Sequence, residues 1–359
     1  MDVVVRVVVG VAGGTVAAAV LVSAVRTFVV PRAIPVWLTR AVFLASRRMF
    51  MVRANRADDY EGRDRVMASY APMTLIVLPV VWLVCVLAGF TAIFWALDVG
   101  ALREAFRESG SSLFTLGFAP PPDLVTTAAA FLEATIGLGL LALLLAYLPT
   151  MYTAFSRREA TVAMLEVRAG SPPTPSELLI RAWRIDWIDR LPELWADWQA
   201  WFIDIAETHT SLAALSFFRS PQPQRSWVTA SGCVLDTASL RLAALDLPRE
   251  PDAALCIRTG TVSLRHIADY FSLPFDPDPS PDDPITVTRD EFDEVVDHLA
   301  AEGLPVRTDR DAAWRDFAGW RVNYDALVTG LAGLTMAPYA PWTSDRGLAY
   351  RRPPLRRRA

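Results

Sequence analysis

Ser109-Gly110-Ser111-Ser112-Leu113-Phe114-Thr115-Leu116-Gly117-Phe118 lies between two strongly apolar segments of the chain. Its last four residues suit the lining of a narrow pore. Gly117 lacks a Cβ and can take the positive φ that turns successive carbonyls toward one axis. Thr115 can add a hydroxyl oxygen at one end. Taken alone, the four residues also describe a glycine-containing turn, so the surrounding sequence decides between the two.

The chain has 359 residues, 53% of them hydrophobic, and its charges are unevenly distributed along its length. This divides it into a membrane half and a soluble half. All 35 basic residues are Arg, a bias that carries no function by itself. Cys85 sits in an apolar run and Cys233 and Cys256 are isolated, so neither a disulfide framework nor a zinc pattern follows. The net charge of −4 and the mixed-sign later half argue against nucleic acid as a partner.

Residues 1–30 form an N-terminal transmembrane helix, because Val3 to Val30 exceeds the roughly 20 residues that cross a bilayer and no small-residue cleavage site follows a short core. Gly10, Gly13 and Gly14 can admit a neighbouring helix. Residues 31–70 are basic and amphipathic, with Arg40, Arg47, Arg48 and Arg53 among Trp37, Phe43 and Phe50. They are expected along the membrane surface. Ala71 to Leu97 is a second span, interrupted by Pro79, and Leu124 to Phe155 is a third, followed by Arg157 and Arg158. Arg clusters on one side of both spans put residues 31–70 and everything after Phe155 in the cytoplasm. The loop from Asp98 to Asp123 and the amino terminus are then external.

Thr115-Leu116-Gly117-Phe118 resembles the first four residues of the potassium-channel signature TVGYG, with Ala119 where that family has Gly. The order of apolar helix, Ser-rich short helix, TLGF and second apolar helix resembles the pore unit of the bacterial two-transmembrane potassium-channel superfamily. Phe131-Leu132-Glu133-Ala134-Thr135-Ile136-Gly137, Glu207-Thr208-His209-Thr210 and Phe217-Phe218-Arg219-Ser220-Pro221 are similar to segments of bacterial proteins labelled two-pore-domain potassium-channel family members. With one filter per chain, four copies are needed for a closed ring.

The resemblance implies an all-α membrane protein. An outer helix, a re-entrant pore helix, a filter and an inner helix occupy 71–158. The extra N-terminal helix precedes them, a helical cytoplasmic domain covers 159–345, and a basic tail covers 346–359. It implies that Thr115, Leu116, Gly117 and Phe118 bind permeating potassium through their carbonyls, with Leu116 and Phe118 packed behind the filter. Ser111 and Ser112 would support the filter, although many potassium channels carry a carboxylate where Ser111 stands. Glu133, a carboxylate in an apolar helix, needs a partner. A buried hydrogen bond to the pore helix is expected in preference to a direct ion contact. Gly137, Gly139 and Pro149 are candidate gating hinges, with close packing or helix termination as the alternative. At Ala119, a positive φ would cost about 1 to 2 kcal/mol. Asp98, Glu104, Glu108 and Asp123 outnumber Arg103 and Arg107 at the mouth, which predicts a mildly negative vestibule.

In the later half, Thr174-Pro175-Ser176-Glu177 predicts a capping box. It opens one helix striped by Leu179, Trp183, Trp187, Leu191, Trp195, Trp198, Phe202 and Ile205. Further helices are expected over Ser226–Leu245, Asp252–Phe271, Thr288–Ala301 (with a second box from Thr288 and Glu291) and Asp311–Thr335. Arg351, Arg352 and Arg356 to Arg358 can meet anionic lipid. No nucleotide fingerprint, metal spacing or catalytic constellation appears, so no cofactor or enzyme activity is expected. The function expected is a homotetrameric potassium channel of a bacterial inner membrane, possessing a cytoplasmic domain open to a regulator. The alternatives are a nonselective cation channel and a nonconducting adaptor that binds a partner through its Trp-rich part.

Overall fold

The computed structural model describes residues 3–28 and 37–346. Arg32, Val29, Val30 and the basic tail at Arg351, Arg352 and Arg356 to Arg358 lie outside the described residues. The described chain is all-helical and divides into two compact units, Met1–Thr153 and Ala154–Ala359.

The first unit begins with α1 (Val3–Phe28), α2 (Trp37–Ala54), α3 (Tyr60–Ala68) and α4 (Tyr70–Ala96). A short helix, α5 (Leu102–Leu113), and the start of a 46-residue helix, α6 (Leu124–Ala169), complete it. Val3–Phe28, Tyr60–Ala96 and Leu124–Ala169 are long and apolar enough to cross a membrane. At 1.5 Å per residue α6 is about 69 Å long, more than twice the roughly 30 Å of a bilayer core. Part of it therefore extends beyond any span.

Small residues set the α1–α4 contact. A Cβ on Gly89 would lie 2.8 Å from the carbonyl oxygen of Gly13, and one on Gly13 would strike the carbonyl of Gly89. The two backbones approach because neither position carries a side chain. Below that crossing the Phe28 ring meets the edge of Trp82 at 5.2 Å and Tyr147 of α6 at 4.3 Å. On α2, Trp37, Met49 and Val52 are exposed while Val42 is buried, the two-sided pattern of a helix suited to an interface.

The second unit contains α7 (Pro175–Arg184), α8 (Leu191–Ser211), α9 (Trp227–Ala243), α10 (Pro251–Tyr270), α11 (Arg289–Ala301), α12 (Arg310–Arg321) and α13 (Asp325–Thr335). Two expected helices are each divided. The Trp-striped helix breaks at Asp186, which has φ 53°, and a 3-10 turn at Ile188–Arg190 precedes α8. Asp311–Thr335 breaks at Val322 to Tyr324, between α12 and α13. The first capping box is half formed: Thr174 accepts from the Glu177 amide, but the Glu177 carboxylate takes Arg181 at 2.5 Å. The second box, Thr288 with Glu291, is complete.

Leu191, Trp195, Trp198, Trp201, Phe202 and Ile205 are buried in this unit's own core. The stripe from Leu191 onward is thus consumed internally, while Trp183 and Trp187 are partly buried. Two buried guanidinium groups organise the polar interior. Arg321 bonds Asp236, Asp325 (2.8 Å) and the Trp342 carbonyl, and Tyr324 Oη donates to Asp236 at 2.9 Å. Burial pushes the Asp236 carboxyl up, against the opposing pull of Arg321. Arg158 donates to the carbonyls of Leu215 (2.9 Å) and Phe218 (2.7 Å) and pairs with Glu159 at 2.8 Å. It fixes the last turns of α6 to the segment after α8.

Candidate functional site

The segment Thr115 to Ala119 leaves the carboxyl end of α5 and is held to it through one residue. The Leu116 amide donates to the Ser111 carbonyl at 2.8 Å, and the Gly117 amide reaches the same oxygen at 3.5 Å. The Ala119 amide donates to Ser111 Oγ at 3.1 Å. In a trans peptide the N–H and the preceding C=O point in opposite directions. The carbonyls of Thr115, Leu116 and Phe118 are therefore turned away from α5. No hydrogen bond among the described residues reaches the carbonyl of any residue from Thr115 to Phe118.

The backbone alternates in hand. Thr115 has φ 54° and Gly117 φ 70°. Gly117 occupies this region without penalty, whereas a β-branched Thr there is an outlier. Ala119 is not among the positive-φ residues, so the strain anticipated at that position does not arise. Leu116 and Phe118 are 64% and 52% exposed. Within one chain their side chains are left largely uncovered. The Arg107 guanidinium lies 5.9 Å from the Phe118 ring centroid.

Helix α5 is buried along Ala105, Ser109 and Leu113, the i, i+4 face that an amphipathic helix presents to its neighbours. Ser109 Oγ is 2.5 Å from Glu133 Oε1 on α6 and 3.1 Å from the Leu87 carbonyl on α4. Ser109 was not singled out from sequence. Its signal was the four-residue step from Ala105. Glu133 is fully buried, and its Oε2 and Glu108 Oε1 have no hydrogen-bond partner among the described residues. Ser112 supplies its carbonyl to the Thr115 amide at 3.0 Å.

Gly137 lies against the carboxyl end of α5: a Cβ there would sit 2.5 Å from the Leu113 carbonyl oxygen. Nothing lies within 4 Å of a Cβ on Gly139. Pro149 is accommodated inside the continuous α6. The surroundings of the segment are less acidic than the residue count implies. Asp98 pairs with Arg6 at 2.7 Å, Glu108 is buried, and Asp123 caps α6 by accepting from the Thr126 amide at 2.9 Å. The Thr126 amide and hydroxyl hold Asp123 below the usual carboxylate range. Of the four carboxylates only Glu104 is both exposed and uncommitted among the described residues.

The arrangement presents a row of outward-turned backbone carbonyls, which are chemically suited to replace water around a bare cation. A single chain supplies only one side of such a cage. No family model, curated protein or solved structure matches the chain.

Proposed function

We propose that the chain is the pore-forming subunit of a homotetrameric cation channel that conducts potassium, the carbonyls of Thr115, Leu116, Gly117 and Phe118 replacing the hydration shell of the ion. The observation that carries this reading is the bonding of the Leu116, Gly117 and Ala119 amides to Ser111, which turns carbonyls away from their supporting helix. Four copies around an axis would place them face to face. In this reading α4 is the outer helix, α5 re-enters the membrane and α6 lines the pore. The carboxyl end of α5, with its partial negative charge, favours a cation nearby. Glu133 holds the pore helix through Ser109.

A nonselective channel is the nearest variant, and the backbone of Ala119 favours it. The hand alternates at Thr115 and Gly117 but does not continue at residue 119, so the outermost ring of carbonyls differs from the inner ones. The adaptor alternative relies on Trp side chains of which Trp195, Trp198 and Trp201 are enclosed in the second unit, while Trp183 and Trp187 are only partly buried.

Flux into liposomes containing the purified protein tests the reading, comparing potassium with sodium and wild type with Gly117→Ala. Potassium flux that Gly117→Ala abolishes supports the selective channel, and equal sodium and potassium flux supports the variant. Folded tetramers that pass neither ion across a range of voltages would sink both.

A further inference from the structure

A groove of about 490 Å³ opens on the second unit between the last turn of α6 and the length of α7. Its volume falls in the range of roughly 300 to 1,000 Å³ typical of small-molecule sites. Val167, Leu178, Ala182, Ile185 and Trp187 form its walls. Val167 and Ile185 are 76% and 70% exposed, so the groove displays apolar surface that the unit's own core does not cover.

Three guanidinium groups line the same groove: Arg168, Arg181 and Arg184. Two are committed. Arg181 donates to Glu177 at 2.5 Å and to the Val167 carbonyl at 2.7 Å, and Arg184 holds Glu302 at 2.6 Å. Arg168 stacks over the Trp187 ring at 5.0 Å and has no carboxylate partner among the described residues. Stacking fixes the plane of the guanidinium and leaves its edge donors free. Among the described residues Arg168 is thus the one of the three guanidinium groups without a carboxylate partner, and it stands beside walls that a polar solute would leave unsatisfied.

We propose that this groove binds an amphiphilic monocarboxylate, its head group on Arg168 and its alkyl chain along Val167, Leu178 and Ile185. One cation without a carboxylate partner among the described residues selects a monoanion over a polyacidic segment, and the apolar walls select an alkyl body over a small hydrophilic acid. The two exposed aliphatic side chains and the unpaired guanidinium become parts of one site. This does not depend on ion conduction.

The full-length protein in zwitterionic nanodiscs is photolysed with a diazirine-bearing decanoic acid, and the labelled peptides are mapped by mass spectrometry. Label is expected within 167–187, competed by decanoate and not by decanol. Losing one charge-assisted hydrogen-bond donor in Arg168→Gln should lower that labelling roughly tenfold or more. Arg168 is half-exposed and outside any ion pair among the described residues, so helicity by circular dichroism should not change. A second variant, Ile185→Asp, should reduce labelling by placing a like charge in the apolar wall. Label confined to the membrane helices, equal competition by decanol, indifference to Arg168→Gln, or cross-links joining two copies through Val167 would each overturn the proposal.

Discussion

Ser109 donates to Glu133 across 2.5 Å, joining α5 to α6 in the last turns of α5 before the Thr115 to Phe118 segment begins. Ser109 Oγ also lies 3.1 Å from the Leu87 carbonyl of α4, and because a hydroxyl has one proton to donate, that longer contact shares the proton given to Glu133. The cost of burying Glu133 is offset only in part, because Oε2 finds no partner among the described residues. A buried polar group kept on such terms stabilises mainly by what it positions.

Glu133→Gln preserves shape and an acceptor for Ser109, and should retain stability within about 1 kcal/mol of wild type. Glu133→Ala removes the acceptor and opens a cavity between α5 and α6, a loss of about 1 to 3 kcal/mol. Thermal unfolding in detergent distinguishes them. Equal behaviour of the two variants would mean that the Ser109 bond positions nothing.

Gly137 and Gly139 should respond oppositely to alanine. At Gly137 the new Cβ meets the Leu113 carbonyl, a backbone atom that cannot rotate away, and overpacking of this kind costs about 1 to 3 kcal/mol. At Gly139 the space is open, and replacing a helical glycine stabilises by about 0.5 to 1 kcal/mol. Melting temperatures of the two single variants give the answer. If Gly137→Ala were the more stable, the packing role assigned to Gly137 would be wrong.

Those two glycines show where sequence stopped being informative. Their place in an apolar helix was legible, but whether each packs or bends depends on what lies opposite, and Leu113 is 24 positions away. The helices themselves were legible from hydropathy and from caps, since Ser226 and Thr288 each use a short polar side chain to hold a first-turn amide. The break at Asp186 was not, because Asp enters the left-handed region without a glycine or proline to mark it. Arg321 and Asp236 are 85 positions apart, and no local pattern pairs them. For the candidate site, residue types pointed to exposed carbonyls, but only the geometry showed Ser111 holding three amides and Leu116 and Phe118 left uncovered.

His209 should make the second unit acid-sensitive. It is fully buried, and because Arg158 Nη1 can only donate, His209 Nε2 accepts at 3.2 Å. Burial, reinforced by the Arg158 charge, holds the imidazole well below its ordinary value of 6.5. The unfolded chain gains a proton below about pH 6.5 that the folded unit refuses. Stability should therefore fall as pH drops from there, by up to about 1.4 kcal/mol per unit, until the depressed folded value is reached. Unfolding at pH 7.5 and 5.5 should show a larger acid loss in wild type than in His209→Gln. An identical loss in both would remove His209 as its source.

Arg321→Met should be far more damaging than the loss of any surface Arg. It leaves Asp236 and Asp325 buried without their cation, and breaking such a group from one side costs about 3 to 5 kcal/mol. Adding Asp236→Asn should recover part of that loss by removing one stranded charge. Denaturant titration followed by Trp fluorescence would contradict this account if the double variant were no more stable than the single.

Thr115 holds a backbone conformation that its own side chain disfavours, with φ 54° and a branched Cβ. Such strain persists only where neighbouring bonds impose it, and here the Thr115 amide bonds Ser112 while the next two bond Ser111. Thr115→Gly should relieve about 1 to 2 kcal/mol and raise thermal stability. The same change removes a hydroxyl and frees the Thr115 carbonyl to rotate, so in the proposed channel it should blunt discrimination between potassium and sodium while the fold gains stability. Stability and selectivity moving in opposite directions would identify the strain as serving the carbonyl row. A variant that lost stability would show that no strain is stored at Thr115.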